Sequence, residues 1–330
     1  MACYLVTGVA GFIASKVAEF LRAEGHTVVG LDNLNDAYDV RLKRWRLAQL
    51  EGRPGFEFHR LDICDRNGLR ELFNTQYGIR NMPFDAVINL AARAGVRPSV
   101  ENPWAYYETN VTGTLNLLEL CREFGAAKFV QASSSSGYGR GNPMPYREEQ
   151  NTDLPPSPYA ASKKAAETLC ATYHTLHGLD VSVLRYFTVY GPAGRPDMSP
   201  FRFVQWISEG RPVTVYGDGS QSRDFTYVDD IARGTLAALK PLGYEVINLG
   251  SDRPIGLMDA VRVIEQLVGR RALVEYRPRH PADVKDTGTD IREAERVLGW
   301  RPEVAFEEGM ARAVDWYREN RGWAREVATE

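Results

Sequence analysis

A doubly wound α/β fold, with helices on both faces of a parallel sheet, is what the sequence predicts, and three observations predict it. Apolar strand-like runs alternate with helix-like stretches through the first half of the chain. The first strand runs into a Gly-x-x-Gly turn and then a helix, and the second strand ends in an acid. That combination belongs to parallel sheets that bind nucleotides.

Taking the elements in order, Cys3-Tyr4-Leu5-Val6 is a strand, followed by Thr7-Gly8-Val9-Ala10-Gly11-Phe12-Ile13-Ala14 and an amphipathic stretch ending near Ala23. Gly8 lets the chain turn, and Gly11 leaves room for a pyrophosphate against the backbone. The helix start then offers amide donors and a partial positive charge. Ala14, third in the pattern, is still small enough for close helix–strand packing. A second strand, Thr27 to Leu31, ends in Asp32, where an adenosine ribose 2′-hydroxyl would lie. An acid there repels a 2′-phosphate, so NAD is favoured over NADP.

A basic helical stretch, Val40 to Leu50, comes next, then a strand from Phe56 to Leu61 ending at Asp62-Ile63, and a helix from Arg66 to Phe73. The strand Ala86 to Leu90 precedes a long helix, Asn102 to Phe124. Lys128 to Gln131 is a strand running into Ser133-Ser134-Ser135-Ser136. A helix covers Tyr159 to His177, and a strand Val181 to Tyr186. Ligands of such sheets bind at the carboxyl ends of the strands. Gly8, Asp32, Asp62, Ala91, Ser134 and Thr188 all fall at strand ends.

After Tyr190 the composition changes. Gly191 to Asp197 is a Gly- and Pro-rich loop, and the elements become shorter. Val246 to Gly250 reads as a strand that returns to the large sheet. The predicted division is a dinucleotide-binding part, residues 1–189 plus about 226–255, and a smaller α/β substrate-binding part, residues 190–225 plus about 256–330.

The bulk properties of the 330 residues exclude several classes. Net charge is −3, with no basic field for nucleic acid. No apolar run approaches the length of a membrane span. The first strand begins within three residues of Met1, leaving no secretory leader, so the expected location is the cytoplasm. Cys3, Cys64, Cys121 and Cys170 are scattered and read as buried small hydrophobes in a reducing compartment. His26, His59, His174, His177 and His280 make no ligand set, and no metal is expected.

The chemistry is carried by Tyr159-Ala160-Ala161-Ser162-Lys163. A Tyr and a Lys four apart share one helix face. Lys163 is placed to bias Tyr159 toward phenolate, and a nearby Ser hydroxyl to relay its proton. A free phenol titrates near 10, and bringing it near 7 requires roughly 4 kcal/mol of preferential phenolate stabilisation. A lysine ammonium and a cationic nicotinamide ring are two sources of it. Alone the Tyr-x-x-x-Lys spacing is a weak signal; the glycine turn at the start of the chain gives it weight.

The glycine turn, Asp32, Asp62-Ile63, the serine cluster, Tyr-x-x-x-Lys and Arg223-Asp224-Phe225-Thr226-Tyr227-Val228-Asp229-Asp230 together resemble the extended short-chain dehydrogenase/reductase family, over essentially the whole chain. Within it, Gly30 to Asp36, Ala94 to Ser99, and Phe187 to Pro192 continuing through Arg195-Pro196-Asp197-Met198 are similar to the UDP-glucuronate 4-epimerases. The resemblance implies a Rossmann-type sheet and a tightly held NAD recycled within each turnover. Tyr159 would take the proton of the sugar 4-hydroxyl while hydride passes from C4 to the nicotinamide. The 4-keto sugar would then rotate about its diphosphate and take the hydride back on its other face.

The same resemblance implies roles for further residues. Lys163 would hold the nicotinamide ribose, and Ser134 the 4-oxygen. Asp32 and Asn33 would hold the adenosine ribose, and Asp62 and Ile63 the adenine edge. Asn110 and Tyr186 would line the substrate and nicotinamide pocket. Gly8, Gly11, Phe12, Ile13, Asn35, Leu90, Ala91 and Ala92 complete the expected cofactor contacts. Ser135, Ser136 and Thr188 would pin a sugar carboxylate, Arg195 and Arg223 would meet the nucleotide, and Arg97 a phosphate or the carboxylate. Asp283 would bind the uridine ribose. A homodimer through a four-helix bundle is implied, carried by Leu115, Leu117, Leu118 and Leu120 on one helix and Leu169, Tyr173 and Leu176 on the other.

Family dehydratases carry an Asp-Glu pair after the catalytic Ser/Thr, and decarboxylases carry Glu at the second of those positions. Here they are Ser135 and Ser136, which favours plain epimerisation over decarboxylation to a UDP-pentose. Thr188 stands where UDP-glucose 4-epimerases usually have Asn, which leans toward the uronate; UDP-glucose, or both sugars, is the alternative. A non-enzymatic NAD sensor on this fold would be expected to lose Tyr or Lys, and Tyr159 and Lys163 are both present. Three departures from the epimerase pattern stand out: Arg93 for Gln, Gly137 for Val, and His280-Pro281-Ala282 for Gln-Pro-Gly.

Overall fold

The computed structural model describes residues 1–74, 84–279 and 283–329. The departure at His280-Pro281-Ala282 lies outside the described residues. The strands are β1 (Cys3–Thr7), β2 (Thr27–Leu31), β3 (Phe56–His59), β4 (Ala86–Asn89), β5 (Lys128–Ser134), β6 (Asp180–Tyr186), β7 (Thr188–Tyr190), β8 (Pro212–Tyr216), β9 (Ser222–Tyr227), β10 (Tyr244–Leu249), β11 (Pro254–Gly256) and β12 (Leu273–Arg277). Seven of them form the central sheet in the order β10-β6-β5-β4-β1-β2-β3, with every pairing parallel. As expected, the strand near Val246 returns to this sheet, beside β6.

The apolar runs of β1, β4, β5 and β6 are buried on both faces, as a parallel sheet covered by helices requires. Helices Phe12–Ala23 and Val228–Ala237 cover one face through Val17, Leu21 and Ile231. Helices Arg66–Asn74, Thr114–Phe124 and Pro158–His177 cover the other through Leu69, Leu117, Leu118 and Cys170. A third core, around Phe201, Trp206, Leu257, Ile264, Trp316 and Tyr317, lies among helices Ser199–Glu209, Leu257–Val268 and Phe306–Ala324. Small sheets β11-β9-β7 and β12-β8 complete the described structure. Strand order reverses between β1 and β4, which opens a crevice at the carboxyl ends of the strands.

The expected helix Asn102 to Phe124 is three pieces: Pro103–Tyr107, a π-helical turn Glu108–Gly113, and Thr114–Phe124. The extra residue in the turn lets the Asn110 side chain face inward, and glycine at 113 lets the turn lie on Ile63, whose Cδ1 would stand 2.5 Å from a Cβ. β5 runs on to Ser134, so the first two serines are strand and Ser135–Tyr138 is a 3₁₀ turn. The expected bundle face needs correction. Leu117, Leu118, Leu120 and Tyr173 are buried against the chain's own sheet, and Leu169 is half-buried there. Leu115 and Leu176 are exposed, joined by Trp104 and Tyr107.

Candidate active site

The glycine turn follows from close packing. Gly8 has φ +68°, and a Cβ there would meet Ala91 Cα at 2.8 Å. A Cβ on Gly11 would meet the Gly8 carbonyl oxygen at 2.7 Å. Both positions therefore exclude any side chain, and the start of helix Phe12–Ala23 has no side-chain cap on its amides. A buried polar network fixes the strand ends around it. Thr7 Oγ donates to Asn89 Oδ1 at 2.7 Å and accepts from the Leu90 and Ala91 amides. Asn89 in turn donates to Gln131 and Thr114.

Asp32, at the end of β2, accepts from the Leu34 amide at 2.7 Å and from the Ala10 amide of the glycine turn at 3.2 Å. Lys43 Nζ stands 3.8 Å from the same carboxylate and donates to Asn35 Oδ1 at 3.0 Å. Burial pushes the Lys43 ammonium toward neutrality and Asp32 pulls it back, with the net direction downward. Asp62 accepts from Asn33 Nδ2 at 2.6 Å and from the Cys64 amide at 2.8 Å. Burial opposes the Asp62 charge, yet those bonds, with the Arg93 charge adding to them, hold its carboxyl below the usual range.

One long cleft of about 320 Å³ collects most of the expected residues. Gly8, Gly11, Phe12, Ile13, Asp32, Asn33, Asn35, Asp62, Ile63, Leu90, Ala91 and Ala92 line one half. Ser134, Ser135, Ser136, Tyr159, Lys163, Tyr186, Thr188 and Arg195 line the other. The Tyr186 hydroxyl is committed to Thr235 at 2.9 Å, so this residue presents its ring.

Tyr159 is half-buried on the cleft wall, and the desolvation there pushes its phenol up; the Ser134 hydroxyl, then the Arg195 charge, pull it back. Tyr106 meets its ring edge-on at 6.1 Å. Ser134 Oγ accepts from the Ser136 amide at 3.2 Å and donates to Ser136 Oγ at 3.1 Å. Lys163 Nζ donates to the Ala132 carbonyl at 2.9 Å. Burial pushes the Lys163 ammonium down to about 8, with Glu167 holding it up and Arg195 pressing it further down. The Arg195 charge is the cation that favours the phenolate here. Arg195 is itself held by Asp197 at 3.0 Å and by the Ala94 carbonyl at 3.2 Å.

Four expected residues are not on the cleft wall. Asn110 is 2% exposed and its side chain is fully committed. It accepts from the Arg93 amide at 2.8 Å and donates to the Arg93 carbonyl and to Ser162 Oγ, both at 2.9 Å. It fixes the loop after β4 against helix Pro158–His177 rather than facing a ligand. Arg97, Arg223 and Asp283 gather at a neighbouring loop. Arg97 pairs with Asp283 at 2.7 Å and stacks 3.9 Å over the Tyr216 ring. Arg223 donates to the Lys285 and Val284 carbonyls at 2.7 and 3.0 Å. Sequence reasoning missed Tyr38 and Lys43 on the cleft wall. Lys43 sits among Arg41, Arg44 and Arg46, and nothing in the sequence sets it apart from them.

Among the described residues, no group of His, Cys, Asp and Glu side chains could hold a metal ion, and no helix is long and apolar enough to cross a membrane. All four cysteines are free. The arrangement joins a backbone cradle that a dinucleotide fits to the half-buried Tyr159 phenol, a set of neutral hydroxyls and the Arg195 guanidinium.

The profile of the NAD dependent epimerase/dehydratase family matches residues 4–250. A UDP-glucuronate 4-epimerase from Thermodesulfobacterium geofontis is 57% identical over 97% of each chain. The crystal structure of UDP-glucuronic acid 4-epimerase from Bacillus cereus, in complex with UDP-glucuronic acid and NAD, aligns with a TM-score of 0.88 at 34% identity, covering 96% of this chain and 99% of that one. UDP-glucose 4-epimerase from Thermotoga maritima, solved with UDP-glucose, aligns with a TM-score of 0.88 at 30% identity, covering 97% and 99%.

Proposed function

Since the chain belongs to the NAD dependent epimerase/dehydratase family, we propose that it interconverts UDP-glucuronate and UDP-galacturonate by oxidising and re-reducing C4 of the sugar. The carrying observation is the cleft wall itself: the half-buried Tyr159 phenol with Ser134, Ser135, Ser136 and Thr188 around it, adjoining the dinucleotide cradle. NAD fits the residues present, because Gly8 and Gly11 leave backbone free where a side chain would collide, and Asp32 ends β2 beside the glycine turn, its carboxylate accepting from the Ala10 amide, where a ribose 2′-hydroxyl would lie. When bound, NAD supplies the two-electron acceptor and donor for C4.

The other steps belong to this chain. Gly8, Gly11 and the helix start hold the pyrophosphate, Asp32, Asn33 and Asn35 the adenosine ribose, and Asp62 and Ile63 the adenine edge. Phe12, Ile13, Leu90, Ala91, Ala92 and the Tyr186 ring pack against the rest. Tyr159 takes the proton of the 4-hydroxyl as a general base and returns it, with Ser134 bonded to the same oxygen. Lys163 holds the nicotinamide ribose, and Arg195 favours the phenolate.

A uronate oxidised at C4 is a β-keto acid, which loses carbon dioxide when the bond to its carboxylate aligns with the ketone π system. Ser135, Ser136 and Thr188 hold the carboxylate out of that alignment with neutral donors. Arg97, Arg223 and Asp283 receive the UDP moiety, exchanging their present partners for it. Asn110 positions the loop after β4.

We further assign residues 1–189 plus about 226–255 to cofactor binding and residues 190–225 plus about 256–330 to the nucleotide sugar. We also infer a cytoplasmic homodimer in which the helices from Pro103 to Phe124 and from Pro158 to His177 pack on their copies. Exposed Trp104, Tyr107, Leu115 and Leu176 support the dimer, and four free cysteines fit a reducing compartment. Incubating the purified protein with UDP-glucuronate and, separately, UDP-glucose, with NMR of the products, tests the assignment. UDP-galacturonate from the first is expected; a UDP-pentose, or turnover of UDP-glucose alone, would overturn it.

A further inference from the structure

Arg46 is a buried cation that the chemistry above leaves without a task. It lies on helix Val40–Ala48 and is 3% exposed. Among the described residues no acid pairs with it, and its five hydrogen bonds all go to neutral oxygens. Nε and Nη2 donate to the Ala193 carbonyl at 3.0 and 2.7 Å, and Nη2 also donates to the Gly194 carbonyl at 3.2 Å. Nη1 donates to the Ala10 carbonyl at 3.2 Å and to the Tyr38 hydroxyl at 2.7 Å. The guanidinium also lies over the Phe12 and Tyr38 rings, 5.7 and 5.5 Å from their centroids. Burying a charge without a counter-charge is costly, so stability is a weak reason for this arrangement.

What Arg46 joins is informative. Ala10 stands between Gly8 and Gly11 in the glycine turn, and Phe12 opens the helix after it. Ala193 and Gly194 lead directly into Arg195, on the loop after β7. Ala193 has φ +50°, a conformation sparsely populated by residues with a Cβ. Two of the five bonds end on its carbonyl, at the turn from which Arg195 reaches the cleft. Arg46 is not itself on the cleft wall, whereas Gly11, Phe12, Tyr38 and Arg195 are. We propose that Arg46 is a positioning residue: its one guanidinium locks the Ala193-Gly194 turn against the glycine turn of the dinucleotide cradle, and so fixes where Arg195 stands in the site. The proposal rests on the reading of that cleft as the active site. A planar fork with donors on three nitrogens can span the two turns at once, which a single ammonium cannot.

The test joins amide exchange to a double-mutant cycle, both on the full-length protein. By mass spectrometry, Arg46→Met should speed exchange about tenfold or more in residues 191–198 and in the glycine turn, and leave β5 at the native rate. Its kcat for UDP-glucuronate should fall about tenfold or more, the loss ordinary for hydrogen bonds from a charged donor. Added to Arg195→Met, the same substitution should change kcat by less than about twofold, because Arg46 acts through Arg195. Native exchange in residues 191–198, exchange raised equally in β5, or an equal loss of kcat in both backgrounds would overturn the proposal. If Arg46→Met does not fold, Arg46→Lys, which keeps the charge but not the span, decides by the same criteria. Exchange is read without turnover. A native protein inactive on UDP-glucuronate would therefore remove the reading of function, while the exchange rates still decide whether Arg46 holds the two turns.

Discussion

Replacing Asp32 by Asn should collapse the preference for NAD over NADP, and the structure sets the size of the effect. In the proposed assignment the Asp32 carboxylate meets the ribose 2′-hydroxyl, so a phosphate there would meet a like charge. At about 4 Å and an effective dielectric constant of about 20, that repulsion is about 4 kcal/mol, or about a thousandfold in affinity. Lys43 Nζ, 3.8 Å from the carboxylate, attracts the same phosphate and returns part of it. The net preference in the native protein should then be about 10- to 100-fold. In Asp32→Asn the repulsion is gone and Lys43 is unopposed, so the ratio should reach parity or invert. Asn keeps an oxygen for the Leu34 amide but not for the Ala10 amide as well. NAD affinity itself should therefore drop by about 1 kcal/mol. Lys43→Met should move the ratio the other way. Calorimetric titration of cofactor-stripped protein with NAD and with NADP, at one ionic strength, reads all three. A ratio in Asp32→Asn within twofold of the native one would refute the placement of Asp32.

Other substitutions probe the rest of the site. Tyr159→Phe removes the general base and should lower kcat by about 10²- to 10⁴-fold, with NAD and UDP affinities close to native by calorimetry; near-native turnover would take Tyr159 out of its role. Ser136→Glu puts a carboxylate within reach of Ser134 and should let a UDP-pentose and carbon dioxide form, seen by NMR; epimer alone would mean that this position does not steer the outcome. Trp104→Glu, on a side chain 83% exposed, should split the proposed dimer in sedimentation velocity; a native sedimentation coefficient would place the interface elsewhere.

The sheet was legible because a parallel sheet buried on both faces leaves near-continuous apolar runs such as Val28-Val29 and Val87-Ile88, and each strand then announces its ligand end. The glycine turn and Asp32 were legible for a related reason: backbone geometry and the need for an acceptor leave few residue choices there. The π turn at Glu108–Gly113 was hidden, since the helical period runs through it almost undisturbed. The direction of Leu117, Leu118 and Leu120 was hidden too, because apolar residues circle that helix and only the sheet decides which are covered. Lys43 and Glu167 carry nothing in the sequence that sets them apart from surface charges on helices. Their partners, Asp32 and Arg185, are far along the chain or on another element, and only folding brings them together.

The central claim is that the hydrogen removed from C4 is the one returned to C4, with Tyr159 handling only the proton of the oxygen. Conversion of UDP-glucuronate deuterated at C4, in ordinary water, tests it most directly. Mass spectrometry and NMR should find the label retained at C4 of the UDP-galacturonate formed. Label lost to solvent from that carbon would contradict the account.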